Sequence, residues 1–91
     1  SDLSDRGFQI VVTKLEVKFR QPATARDSLV VETEIQEMKR VSSNWKQQIL
    51  RESDGAVLVE AQITLGICDD TGKPTRPPED LNQSLSRLTA D

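Results

Sequence analysis

Residues 56–69, AVLVEAQITLGICD, leave the chain few ways to fold. Val57, Val59, Ala61, Ile63, Leu65 and Ile67 recur at every second position. Glu60, Gln62 and Thr64 fall between them, with Leu58 and Cys68 as apolar exceptions. Alternation of period two, rich in β-branched residues, predicts a strand with one face in a core. The row is long for a strand, and at a sheet edge it would template aggregation. It is therefore expected between two neighbours.

The rest of the sequence supplies those neighbours. Ser1–Gly7 is polar and reads as a tail or a loop. From Phe8 to Arg20, Val11, Thr13, Leu15, Val17 and Phe19 are expected on one face, with Lys14, Glu16, Lys18 and Arg20 on the other. Such a charged back suits a solvated sheet face. Pro22 ends this strand, because proline cannot donate to a ladder. A second strand is expected from Ser28 to Met38, with Leu29, Val31, Thr33 and Ile35 inward. Lys39-Arg40-Val41-Ser42 bends into a third, Ser43–Glu52, where Trp45, Gln47, Ile49 and Arg51 share a face. Gln47 in that row either finds a polar partner or marks a bulge. Ser53-Asp54-Gly55 is a hairpin turn into the organising strand. After Asp69-Asp70-Thr71-Gly72-Lys73-Pro74 turns the chain again, Pro77-Pro78 blocks further sheet. Pro78-Glu79-Asp80 can open a short helix, with Leu81, Leu85 and Leu88 at helical spacing. Hairpin links make the second, third and fourth strands sequential neighbours, and the first is expected on the far side of the fourth.

The expectation is thus an α+β chain, a four-stranded antiparallel meander with a short C-terminal helix, as one domain over residues 1–91. Apolar residues make up 35% of the chain and aromatics are Phe8, Phe19 and Trp45 alone, so one apolar sheet face forms but nothing remains to cover it. A domain this short buries roughly 60–65% of its unfolded surface even when compact. Self-association, or a helix from elsewhere, is expected to supply the cover. A net charge of −3 with mixed signs argues against a nucleic-acid binder. One cysteine and no histidine argue against a disulfide framework and a conventional zinc site. There is no apolar run long enough to span a membrane and no secretory pattern in SDLSDRG, so a cytoplasmic protein is expected.

The order of these features resembles the hotdog-fold acyl-CoA thioesterases, in the 4-hydroxybenzoyl-CoA thioesterase-like branch. The resemblance runs over about residues 7 to 82. It rests on Phe19-Arg20-Gln21-Pro22-Ala23, then Asp27 and the strand Leu29–Ile35, on Val59-Glu60-Ala61, and on the turn from Asp69 to Pro77. It implies a hotdog fold lacking its N-terminal strand and central helix, either as a fragment or as a natural truncation. It also implies an acyl-CoA or acyl-carrier-protein thioester as substrate, with coenzyme A as part of the substrate and no other cofactor. The family's catalytic carboxylate lies in the segments that are missing, so no catalytic residue carries over. The isolated chain is expected to be inactive. The alternative is a non-catalytic module that oligomerises or holds an acyl ligand. The resemblance further implies a homo-oligomer, dimer or tetramer, with Phe8–Phe19 as its seam, and an acyl-CoA ligand.

Lys39, Arg40 and Ser42 are the candidate ligand-binding residues. In the resembling branch a basic cluster at this bend meets the phosphates of the coenzyme A nucleotide, and adjacent cations suit phosphate oxygens. The competing reading is a solvated basic turn that discourages edge pairing. Asp69 and Asp70 point apart on a strand end, which favours backbone capping over acid–base or metal chemistry. Glu60 is read as a solvated or cross-strand-paired carboxylate, and Cys68 as a small hydrophobe. Trp45 either lines an acyl channel or belongs to a core or interface. Lys73 and Arg76 extend a phosphate-binding edge or are simply solvated.

Overall fold

The computed structural model describes residues 2–86. Its elements are α1 (Asp2–Asp5), β1 (Phe8–Phe19), β2 (Leu29–Met38), β3 (Ser42–Arg51), β4 (Val57–Asp69) and α2 (Glu79–Ser86). The strands form one antiparallel sheet in the order β1-β4-β3-β2, so the organising strand is internal, as its hydrophobicity requires. A one-turn helix, α1, occupies part of the stretch read as a tail or loop. Leu88 lies outside the described residues.

Local chemistry fixes the connections. Gly55 has φ 71° and Gly72 has φ 86°, left-handed conformations that side-chain-bearing residues rarely adopt. Arg51 clamps the loop before β2 to the β3–β4 hairpin. Its guanidinium meets Asp27 Oδ2 at 3.3 Å and Asp54 Oδ2 at 2.9 Å, and donates to Pro22 O at 3.2 Å. Glu79 and Asp80 stand in the first turn of α2, where the helix dipole favours acids. Arg6 grips both carboxylate oxygens of Asp80, at 3.0 and 3.2 Å, tying the chain before β1 to α2.

Three bulges set which side chains share a face. On β1 the extra residue is Thr13, between Val12 opposite Leu65 and Lys14 opposite Thr64. This corrects the expected alternation. Phe8, Ile10 and Val12 stand opposite Asp69, Ile67 and Leu65, while Leu15, Val17 and Phe19 stand opposite Ile63, Ala61 and Val59. Val11, opposite Gly66, therefore lies on the other face, because one inserted residue inverts the side-chain phase. Thr13 itself donates from Oγ1 to Thr64 O at 3.3 Å. The other extra residues are Gln36 on β2 and Leu58 on β4. Gln47 is not a bulge; its amide donates to Thr33 Oγ1 across the pair at 3.2 Å.

The apolar face is open. Ile35 and Leu58 are the core, 1% and 2% exposed, whereas Leu15 is 60% and Phe19 83% exposed. The described molecule is a slab with extents of 45 × 25 × 21 Å. Its Cα radius of gyration is 15.8 Å, against about 12 Å for a compact chain of this length.

Candidate functional site

The β2–β3 hairpin brings the three candidate residues to one end of the sheet. Lys39 N donates to Ser42 O at 2.8 Å, closing a tight turn over Arg40 and Val41. Ile67 N donates to Val41 O at 3.1 Å, which docks the turn on β4. Ser42 is the first residue of β3 and stands opposite Gly66. Lys39 and Ser42 line a small hollow of about 20 Å³ with Ser43, Leu65, Ile67 and Pro77. Arg40 does not line it and projects, exposed, from the turn. Lys39 Nζ is 3.7 Å from Glu37 Oε1 with both side chains solvated, a weak pair that leaves the ammonium open to another anion.

Two features of this end were not singled out from sequence. Ser43 is 8% exposed, and its Oγ accepts the Trp45 indole N–H at 2.7 Å. Their i, i+2 spacing on a strand was the available signal, since it places both on one face. That bond fixes the indole, whose polar edge then has its partner. Pro77 reaches the hollow because the segment after β4 doubles back. Cys68 bridges Pro74, and Thr75 N donates to Ile67 O at 2.9 Å.

Five of the described carboxylates, Asp27, Asp54, Glu60, Asp69 and Asp80, perform structural work. Asp69 Oδ1 accepts from Thr71 Oγ1 at 2.6 Å, Thr71 N at 2.9 Å and Lys73 N at 3.0 Å, so it caps its own turn. The Thr71 hydroxyl first, then these backbone donors, hold its pKa below the ordinary carboxylate range. Glu60 is held low by the Arg20 guanidinium at 2.9 Å, helped by Gln48. Asp54 is lowered by the Ala56 amide and then by Arg51. Asp27 is lowered by the Thr24 amide and then by Arg51, and Asp80 by Arg6. Every displaced carboxylate moves downward, away from the range in which a general base works near neutrality. Among the described residues no three of His, Cys, Asp or Glu converge to hold a metal ion. Nor is any described helix long and apolar enough to cross a membrane.

A family model, the thioesterase-like superfamily, matches residues 2–85. No curated protein sequence matches the chain. Among solved structures, a hypothetical protein, TT1821 from Thermus thermophilus, is 26% identical with a TM-score of 0.82, over 96% of this chain and 65% of that one. The probable thioesterase YbaW from Escherichia coli is 25% identical with a TM-score of 0.81, over 97% and 67%. Slr0204, a 1,4-dihydroxy-2-naphthoyl-CoA thioesterase from Synechocystis, is 18% identical with a TM-score of 0.85, over 96% and 65%, a likeness of fold alone. The chain spans 65% and 60% of the first two solved chains it matches. The described sheet and C-terminal helix therefore correspond to part of a hotdog fold.

Proposed function

Because the chain belongs to the thioesterase-like superfamily, we propose that the whole protein hydrolyses an acyl-CoA or acyl-carrier-protein thioester, and that these 91 residues alone do not. The family match over residues 2–85 carries the first half of this reading. The second half is supported by Asp27, Asp54, Glu60, Asp69 and Asp80, which are engaged as caps and ion-pair partners with lowered pKa values. Thioester hydrolysis needs a base or nucleophile and donors aimed at the developing oxyanion. In this reading both come from outside the sheet described here. The cytoplasmic setting expected from the sequence belongs to the same reading.

The sheet's own part is to bind. Lys39 and Arg40 offer two cations on an exposed turn, and Ser42 a hydroxyl beside the hollow, for the phosphates of the coenzyme A nucleotide. The open apolar face takes a covering layer, with β1 as the seam between copies. Release of free thiol from aromatic and fatty acyl-CoA by the purified chain is expected to stay at the uncatalysed rate. Turnover above it overturns the inactivity. Calorimetric titration with coenzyme A tests the binding role, with Lys39→Ala/Arg40→Ala expected to weaken affinity about tenfold or more. Equal affinity in the double variant removes those residues from the site.

A second reading, a non-catalytic module that associates through its sheet, is favoured by one observation. Leu15 and Phe19 leave a continuous apolar surface on the β1 side, which suits assembly whether or not chemistry accompanies it.

A further inference from the structure

Ser43 is 8% exposed, and its Oγ lies 2.7 Å from the Trp45 indole nitrogen. An indole N–H can only donate, so the Ser43 oxygen is the acceptor and its own proton points elsewhere. Among the described residues no acceptor takes that proton. A buried donor without an acceptor is costly, and an incoming acceptor relieves the cost. Ser43 also lines the hollow beside the Lys39–Ser42 turn, whose apolar walls are Val41, Leu65, Ile67 and Pro77. Backbone bonds hold those walls in place: Ile67 N donates to Val41 O at 3.1 Å, and Thr75 N to Ile67 O at 2.9 Å. At about 20 Å³ the hollow has room for one water-sized atom and none for a whole phosphate group. A charged oxygen between such walls would lose its hydration at high cost. A neutral carbonyl oxygen loses far less and meets a donor.

We propose that the Ser43 hydroxyl, backed by the Trp45 indole, is a further substrate-binding group, donating to an amide carbonyl oxygen of a pantetheine arm seated in the hollow. This rests on the reading of the chain as part of a thioesterase. The arm is common to acyl-CoA and to the acyl-carrier protein, and it joins the phosphate end of either substrate to the thioester. The register puts Ser43 where such an arm must pass. Ser42, beside it, ends the turn that carries Lys39 and Arg40. Ser43 itself stands opposite Leu65 and Met38, and Leu65 stands opposite Val12. Further along the same face come Trp45 and Ile63, then Leu15. With phosphates at the turn and the acyl group over the apolar face, the arm crosses the hollow between them. The indole N–H, the serine hydroxyl and the carbonyl then form a one-way relay, in which each hydrogen bond strengthens the other.

Trp45 is the chain's one tryptophan, so its indole N–H gives a single proton resonance that reports on Ser43. Titration with pantetheine, which carries the amides and no phosphate, is expected to move that resonance in the wild-type chain. Ser43→Thr keeps the hydroxyl and is expected to keep the response. Ser43→Val has the shape of threonine without its hydroxyl, and is expected to bind pantetheine at least about tenfold more weakly. The Thr and Val variants share their packing, which separates a lost hydrogen bond from a disturbed fold. Adenosine bisphosphate, which carries phosphates and no amide, is expected to bind Ser43→Val as tightly as wild type and to leave the indole resonance still. Pantetheine that binds Ser43→Val as wild type does, or that leaves the resonance in place, overturns the subsite. A resonance moved by adenosine bisphosphate instead overturns its assignment to the carbonyl. Failure of adenosine bisphosphate alone to bind removes Lys39 and Arg40 from their proposed role and leaves the Ser43 subsite standing. Failure of both probes overturns the two together.

Discussion

Asp69, Asp54, Asp27, Glu60 and Asp80 each titrate lower in the folded chain than in the unfolded one, held by amides, hydroxyls or guanidinium groups. A lowered carboxylate pKa favours the folded state wherever the group is ionised. The contribution is complete above the ordinary carboxylate value of about 4 and is lost as pH falls through the lowered values. The melting temperature is therefore expected to hold steady from neutrality to about pH 5 and to fall steeply below about pH 4. Asp69→Ala is expected to lower it at neutral pH, with the gap to wild type closing in acid. A gap independent of pH means that the carboxylate's charge is not what holds the turn. Burial predicts a second contrast. Leu58→Ala, at a site 2% exposed, is expected to cost about 2–5 kcal/mol in urea denaturation. Phe19→Ala, at 83% exposed, is expected to cost less than about 0.5 kcal/mol in the dispersed chain. Similar costs would mean that Phe19 is covered.

The bulge at Thr13 decides which side chains of β1 belong to the apolar face. Val12→Asp places a charge beside Leu65 and is expected to reduce association through that face, whereas Val11→Asp, opposite Gly66, is expected to leave it intact. Light scattering of both variants in high salt reads the difference, and the reverse order would restore an unbroken alternation. Period two in Val59–Ile67 made β4 and its internal place legible, although the bulge at Leu58 takes Val57, opposite Leu50, out of the expected row, and the glycines and prolines marked the turns. The phase of β1 was not legible, because Ile10, Val11 and Val12 are all apolar and either phase satisfies the pattern. Only pairing with β4 shows that Thr13 is the extra residue. Lys39, Arg40 and Ser42 were legible as a polar turn. The docking of that turn against Ile67 and Pro77 was not, because it depends on a segment more than thirty residues away folding back.

At the scale of the molecule, the dominant fact is area without cover. The chain exposes 6470 Å², against about 5,300 Å² for a compact monomer of its mass. The excess exceeds the roughly 800 Å² that each partner contributes to a standard interface. Composition anticipated this, since the apolar residues suffice for one sheet face and no second layer. Sedimentation equilibrium in high salt, where contacts between charges are screened, tests whether the apolar face drives assembly. A mass of at least twice 10.2 kDa at micromolar concentration is the expected result. A 10.2 kDa monomer that also fails to bind a hydrophobic dye would contradict it.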